Sequence, residues 1–501
     1  MAFPRPATLA LALALAGLAA QSIAAEPSPE YEARVMVHGE RSKMQRWEAA
    51  DGKVHSLMQQ GLYQDAMKAT EEAWKAAQML GVPKNPALGL TLSNAADIYA
   101  KVGQYAQAET TYKRALVEWG RSTGAESPQA AMAMSGLADV YRKLDRIDEA
   151  EQMQQHVLAI RQKAFGARSI SVADSLNALG LIESARGHSD KAESYYQRAL
   201  DIEQKLLGDG SLTVAVSRNN LGDLYLGEHR IAEAQPLLEQ AMATLDKQSG
   251  SDRLVTAICL SNLGGLYAAQ GHYDRSEDAF RRSLAIREQA EGSSHPDVAT
   301  SSLGLADALA HQKRYADAEP FYQHAAQIRE GTFGGDSPKL AMVLNNLGYM
   351  YLENKQYTQA EPVFVRSNAI WEKAGDPDPA NLASGMGNLA QAYLGQRRFD
   401  DAVQLLLREQ AMIEKARGPA SPLLADPLDG LGLSYVQQEK FSEAEAVLTR
   451  SRAIREKAVP PDPSSLAYTL RLLGSIYSRT GRVALAADTI KAANQLAPDQ
   501  H

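Results

Sequence analysis

The chain has 501 residues, 45% hydrophobic and 22% charged, a balance that supports a packed core and excludes an intrinsically disordered chain. Its formal net charge of −8 is a poor match for phosphate backbones and anionic membranes, which select clustered positive charge, so no nucleic-acid partner is expected. The single cysteine, Cys259, excludes an internal disulfide framework and any zinc site built on several thiolates.

Residues 1–25 read as a secretory signal peptide. Arg5 supplies the positive start, Leu9 to Ala20 form an apolar run, and Ala24 and Ala25 offer small residues for cleavage. The run is short of the roughly 20 residues that span a bilayer. An uncleaved anchor is the alternative; cleavage leaves a mature chain with no membrane span. Residues 26–42 form a linker or an extra helix.

From residue 43 to residue 497 one period governs the chain. Leu221-Gly222-Asp223-Leu224-Tyr225 recurs as Leu263-Gly264-Gly265-Leu266-Tyr267, and again at Leu347, Leu431 and Leu473. Taking the first residue of this string as an anchor, anchors fall at 95, 137, 179, 221, 263, 305, 347, 389, 431 and 473, always 42 apart, with a degenerate copy at 53 marked by Gly61, Tyr63 and Ala66. A repeat of this length means stacked supersecondary units. Residues 498–501 are a short tail.

Each unit holds two helices. Anchor, anchor+1 and anchor+4 share one helical face. From the unit anchored at 95 onward, anchor+1 is Gly or Ala and anchor+4 is usually Tyr, so a small residue beside a ring is expected to let the paired helices approach closely. The second helix is expected to open near anchor+11 with capping boxes such as Asp148 with Glu151, Asp190 with Glu193, Asp274 with Glu277, Thr358 with Glu361 and Ser442 with Glu445. Anchor+13 is Ala in every unit but one, Ser276, and offers a second small contact. Glycines at anchor+29, including Gly166, Gly208, Gly250, Gly292 and Gly334, are expected to end it in a left-handed residue, and Pro128, Pro296, Pro338 and Pro422 to start the next unit.

The Leu-Gly-x-x-Tyr string, the small residue at anchor+13 and the paired-helix unit resemble the tetratricopeptide repeat (TPR). The 42-residue period, with His295-Pro296-Asp297-Val298-Ala299 and Asn345-Asn346-Leu347-Gly348, is similar to the kinesin light chain type. The resemblance implies an all-α fold, a right-handed superhelix (α-solenoid) of about eleven helix-turn-helix repeats. It also implies a concave groove, lined by the first helices, in which peptides or protein segments bind.

Helical angles place anchor−5, −2, −1, +2 and +6 opposite the face that meets the second helix, on the concave side. Asparagines stand at anchor−1 (Asn94, Asn220, Asn262, Asn346, Asn388) and at anchor−2 (Asn177, Asn219, Asn345). A primary amide donates and accepts, so it can hold a ligand backbone, and the resemblance gives groove asparagines that role. Bonds between neighbouring repeats are the competing use. Asp97, Asp139, Asp223 and Asp307 at anchor+2 suit a ligand with Lys or Arg, or form a solvated face. Arg471 is the only basic residue at anchor−2, which argues against a clamp for terminal carboxylates.

Around anchor+8 and +9 runs a basic rim, including His188, His229, Arg230, His272, Lys313, Arg314, Arg398 and Arg482. It is read as a solubility feature offset by nearby acids rather than a docking strip. No phosphate loop, HExxH or nucleophile elbow is present, and Cys259 reads as a small buried residue. No catalytic residue, metal or cofactor is expected. The reading is an exported, non-enzymatic scaffold. The rivals are a subunit of an envelope or secretion assembly that uses its convex face or rim, and, far behind, an enzyme.

Overall fold

The computed structural model describes residues 38–59, 62–82, 84–247, 253–375, 380–458 and 461–497. The expectations for residues 1–25, the tail 498–501, Gly61 and Gly250 fall outside them. The described residues form 22 α-helices and no strand, in eleven consecutive pairs. The first members are α1 (His38–Gln59), α3 (Pro86–Lys101), α5 (Pro128–Lys143), α7 (Ile170–Arg186), α9 (Leu212–Gly227), α11 (Arg253–Ala269), α13 (Pro296–His311), α15 (Pro338–Glu353), α17 (Ala380–Gly395), α19 (Ala425–Gln437) and α21 (Pro463–Arg479). The second members are α2 (Tyr63–Met79), α4 (Tyr105–Ser122), α6 (Ile147–Phe165), α8 (Ser189–Leu207), α10 (Ile231–Lys247), α12 (Tyr273–Glu291), α14 (Tyr315–Phe333), α16 (Tyr357–Ala374), α18 (Phe399–Arg417), α20 (Phe441–Arg455) and α22 (Val483–Leu496). Pro422 opens a single 3-10 turn, Pro422–Leu424, ahead of α19 rather than the α-helix itself. The helices pack as two compact all-α solenoid units, one reaching to Ala308 and one starting at Leu309.

The alanines at anchor+13 are buried throughout, as is Ser276. The large side chain that fills the gap opposite anchor+1, however, is not the tyrosine at anchor+4. It comes from anchor+17 on the second helix. A Cβ on Gly348 would stand 2.7 Å from the Phe364 ring, and one on Gly264 2.7 Å from the Phe280 ring. The tyrosine at anchor+4 lies nearer the inter-helix turn, because four residues move it more than one helical turn along the axis.

The turn between paired helices is also tighter than expected. Residues at anchor+8 adopt a left-handed backbone whether they are glycine, as at Gly103, Gly187 and Gly271, or not, as at Asp145, His229, Lys313, Lys355, Arg397 and Glu439. The second helix therefore starts at anchor+10, and the N-cap positions at Arg146, His188, His272, Arg398 and Lys440 receive no side-chain bond. Asp148, Asp190 and Asp274 sit inside the first turn, where they complement the helix dipole instead of capping. Side-chain caps belong to the first helices, at Asn85, Ser127, Ser211, Ser337 and Asp462. Gly375 ends α16 in the compact left-handed conformation, but the anchor+29 glycines Gly166, Gly208, Gly292, Gly334 and Gly418 combine positive φ with an extended ψ, 88° and 152° at Gly292. This is not the compact left-handed conformation expected, but a region essentially restricted to glycine.

From the unit anchored at 95 onward, the anchor+17 column of Tyr, Phe, Leu and Ile is broken by Gln154. Its side chain is 0% exposed and neither amide atom has a hydrogen-bond partner. A buried amide without partners costs about 1–3 kcal/mol. Gln154→Leu is expected to stabilise the chain by about that amount, read as a higher denaturation midpoint at unchanged m-value.

The N-terminal unit closes on itself. Leu254 and Ala290 share an apolar cluster with Val54, Tyr63, Ala66 and Ile98. A Cβ on Gly103 would meet Pro296 at 2.7 Å, and Lys143 Nζ lies 3.3 Å from Asp297. The start of α13 thus seats against α3 and α5.

Candidate functional site

In the C-terminal unit the first helices leave a groove, a cavity of 910 Å³. Its lining reproduces the concave register: Ser384, Asp426 and Tyr468 from anchor−5, Asn345, Gly387 and Asp429 from anchor−2, Tyr349, Gln391 and Leu433 from anchor+2, Glu353 and Gly395 from anchor+6. Three tyrosines, several acids and one cation, Arg455, face the same space. Arg455 binds Asp426 and Asp429 at 2.7 and 2.8 Å.

Of the asparagines, Asn345 and Asn388 line this cavity, whereas Asn94, Asn177, Asn219, Asn220 and Asn262 belong to the N-terminal unit. Asn94, Asn177, Asn219, Asn220, Asn262, Asn345, Asn346 and Asn388 are all buried. They are therefore not solvated in the free chain. Asn262 Nδ2 donates to Asn219 Oδ1 at 3.1 Å, Asn388 Nδ2 to Asn345 Oδ1 at 3.2 Å, and Asn94 Nδ2 to Asp51 Oδ1 at 2.9 Å. Each bond runs from anchor−1 of one repeat to anchor−2 of the repeat before. Asn177 Nδ2 donates to Glu203 and Ser217. These amides join neighbouring repeats, the competing use recognised from sequence. The side chains that a bound segment would meet first stand at anchor−5, +2 and +6.

The aspartates at anchor+2 belong to the N-terminal unit, where Asp97 and Asp139 are engaged. Asp97 accepts a hydrogen bond from Tyr112, and burial pushes its carboxyl up to about 6. Asp139 holds Arg142 at 2.6 Å. Burial pushes Asp223 up to about 7. Asp307 is half-buried. These four do not meet the groove of the C-terminal unit, whose acids are Glu353, Glu409, Asp426, Asp429 and Asp462.

The basic rim has a structural use that sequence reasoning missed. Arg146, Arg230, Arg398 and Arg482 lie 4.1, 3.9, 4.4 and 4.5 Å from the ring centres of Tyr141, Tyr225, Tyr393 and Tyr477. Each also binds a glutamate 37 residues earlier: Glu109, Glu193, Glu361 and Glu445, at 2.7–2.8 Å. Tyr225 and Tyr351 donate their hydroxyls to Glu193 and Glu319. The columns at anchor+4, +9 and +14 were each readable; their convergence depends on how one repeat stacks on the next.

Cys259 is buried and its thiol is pushed up to about 12 by burial, which makes it a packing residue and not a nucleophile. Glu291, His295 and Asp297 bring ligand atoms within 4.8 Å of one another. Cations already occupy their field: Arg287 lies 3.5 Å from Asp297 and 3.8 Å from Glu291, and Lys143 3.3 Å from Asp297. Two fixed positive charges oppose a bound metal cation there.

Burial also raises Glu203 and Glu409 to about 8. Above the ordinary carboxylate range the unfolded chain has released these protons while the folded chain keeps them. Folding stability therefore falls as pH rises from there to about pH 8. Calorimetry is expected to show a higher melting temperature at about pH 5.5 than at about pH 8.5, and Glu203→Gln combined with Glu409→Gln to flatten that difference.

Profiles described as tetratricopeptide repeat match residues 129–205, 190–247, 213–289, 297–373, 342–412 and 378–457, with further matches at 91–122 and 430–501. Among solved structures, the chain is similar to BtubC (BKLC) from P. vanneervenii at 26% identity, over 50% of this chain and 92% of that one, with a TM-score of 0.35. It is similar to a putative kinesin light chain with nearly identical TPR-like repeats from Podosopora anserina at 23% identity, over 41% and 98%, with a TM-score of 0.32. No curated protein matches the chain.

Proposed function

This chain belongs to the tetratricopeptide repeat family, and from that premise we propose that it is an exported, non-enzymatic scaffold that binds peptide or protein segments along the groove of its C-terminal unit. The observation that carries the reading is the cavity itself, lined by the concave positions of successive first helices. Its tyrosines offer rigid contact area at low entropy cost, and its polar groups can orient a backbone. The export half of the reading rests on the charged, apolar and small-residue order of residues 1–25, which supports a bacterial periplasmic or secreted location. N-terminal sequencing of the native protein is expected to begin at Ala25 or Glu26; an intact Met1 would contradict export with cleavage.

A photoreactive benzoylphenylalanine at Gln391 or Leu433, introduced in the native host, tests the groove. Cross-links to a polypeptide are expected from these positions and not from Leu407 on the exposed side of α18. The second reading, a structural subunit that uses its outer face, has one observation in its favour. Val365 and Leu407 stand one repeat apart at the same register and are 47% and 46% exposed, a pair of apolar side chains open to a partner. Cross-links from Leu407 alone would favour it.

A further inference from the structure

One repeat departs from its neighbours at two facing positions. At anchor+20 the second helices carry Ala, Ser or Val in every other repeat, as at Ala199, Ser283, Ala325, Ser367 and Ser451, but Glu409 here. This position packs against anchor−2 of the first helix: Ser283 Oγ lies 2.8 Å from Ser261 Oγ. In the Glu409 repeat, anchor−2 is Gly387, the only glycine in that column. A Cβ at Gly387 would sit 3.7 Å from both carboxylate oxygens of Glu409. A long acid has replaced a small residue, and the opposing side chain has been deleted to uncover it. Both residues line the groove of the C-terminal unit.

Glu409 is only 4% exposed, and its Oε2 is buried without a hydrogen-bond partner. No cation offsets its burial; Asp426 adds repulsion instead. The other acids of the groove are occupied: Tyr349 hydrogen-bonds Glu353. Asp426 and Asp429 share Arg455, and Asp462 caps α21 through Ser465. We propose that the notch beneath Gly387 binds an alkylammonium group, carried by a lysine of a bound segment or by a free diamine, with Glu409 as its counter-ion. A compact ammonium on a slender stem fits a notch opened by one missing side chain, whereas a guanidinium is broad and planar. A hard divalent cation demands several oxygen ligands, and here a single carboxylate is buried and unengaged. The rings of Tyr349, Tyr357 and Tyr468 on the groove wall suit the stem and the charge.

The lysine form of this proposal rests on the groove reading above; the diamine form does not. Calorimetric titration of the full chain at about pH 9, where Glu409 is ionised and an alkylammonium is still charged, would use three probes: capped Ala-Ala-Lys-Ala-Ala, the same peptide with its lysine acetylated, and 1,5-diaminopentane. Binding of the unmodified peptide, weakened at least tenfold by acetylation and by Glu409→Gln, supports the lysine source. Binding of the diamine alone, with the same dependence on Glu409, supports the free amine and would leave the scaffold reading to stand or fall by the cross-linking. Gly387→Leu, which plugs the notch without altering the carboxylate, is expected to abolish binding and guards against a folding defect in Glu409→Gln; circular dichroism checks both variants. Equal binding by the original chain and by a folded Glu409→Gln or Gly387→Leu variant, or no binding of either amine, overturns the proposal even if groove cross-links are found.

Discussion

Phe364→Ala is expected to destabilise the C-terminal unit by about 3–5 kcal/mol, the range for truncating a fully buried aromatic ring. Phe364 is completely buried. Its ring fills the hollow above Gly348, at a distance where a methyl group could not fit. Truncation leaves a void that α15 and α16 can close only by sliding past one another, and that motion would disturb their contacts with the adjoining helices. Ala360, at anchor+13 on the same helix, already brings the backbones close. Denaturant unfolding followed by circular dichroism measures the loss. Phe364→Leu, which leaves a smaller void and matches Leu238 and Leu448 at the same register, is expected to cost less than half as much. If Ala and Leu cost the same, the ring does not set the helix spacing.

The second large effect is expected at Arg287. Its guanidinium lies among Glu291, Asp297 and the start of α13 and is 1% exposed. Arg287→Met removes the charge while keeping much of the volume. It leaves Glu291 with no fixed cation beside it and Asp297 with Lys143 alone. Breaking a buried pair in this way costs about 3–5 kcal/mol. Pairing it with Glu291→Gln is expected to recover a good part of the loss, because the stranded charge is then gone. Equilibrium unfolding of the two variants, compared as a cycle, separates this cause from simple loss of packing. The closure of the N-terminal unit makes the effect non-local: Asp297 also holds Lys143, so the contact between α13 and α5 should loosen too. Faster hydrogen exchange in α5 of Arg287→Met would show it.

The difference between these two sites marks how far the sequence could be read. The 42-residue register, the buried alanines at anchor+13 and the concave positions at anchor−5, +2 and +6 follow from helical periodicity, and they reappear in the helices and the groove lining. Phe364 was harder to place. The column of large residues at anchor+17 is present in the sequence but was not singled out, because which small residue it meets depends on the turn at anchor+8 and on the angle between the paired helices. Arg287 was beyond reach, since its environment is made by a contact between residues 143 and 297 that no local period encodes. The asparagines show a third case. Asn345 and Asn388 do line the cavity, yet neighbouring first helices approach closely enough there for Asn388 to reach Asn345. Chemistry that suits a ligand backbone equally suits the next repeat. Glu409 went unremarked because a second-helix position was not expected to reach the groove; the signal lay in its departure from a column of small residues, paired with Gly387.

The most direct test of the scaffold reading is hydrogen–deuterium exchange of the intact protein with and without the polypeptide captured by the groove cross-link. Protection is expected in α15, α17, α19 and the start of α21, whose side chains line the cavity, while the exposed sides of α16, α18 and α20 exchange as in the free chain. Protection confined to those second helices, with the groove helices unchanged, would contradict the account and place the interaction on the outer face.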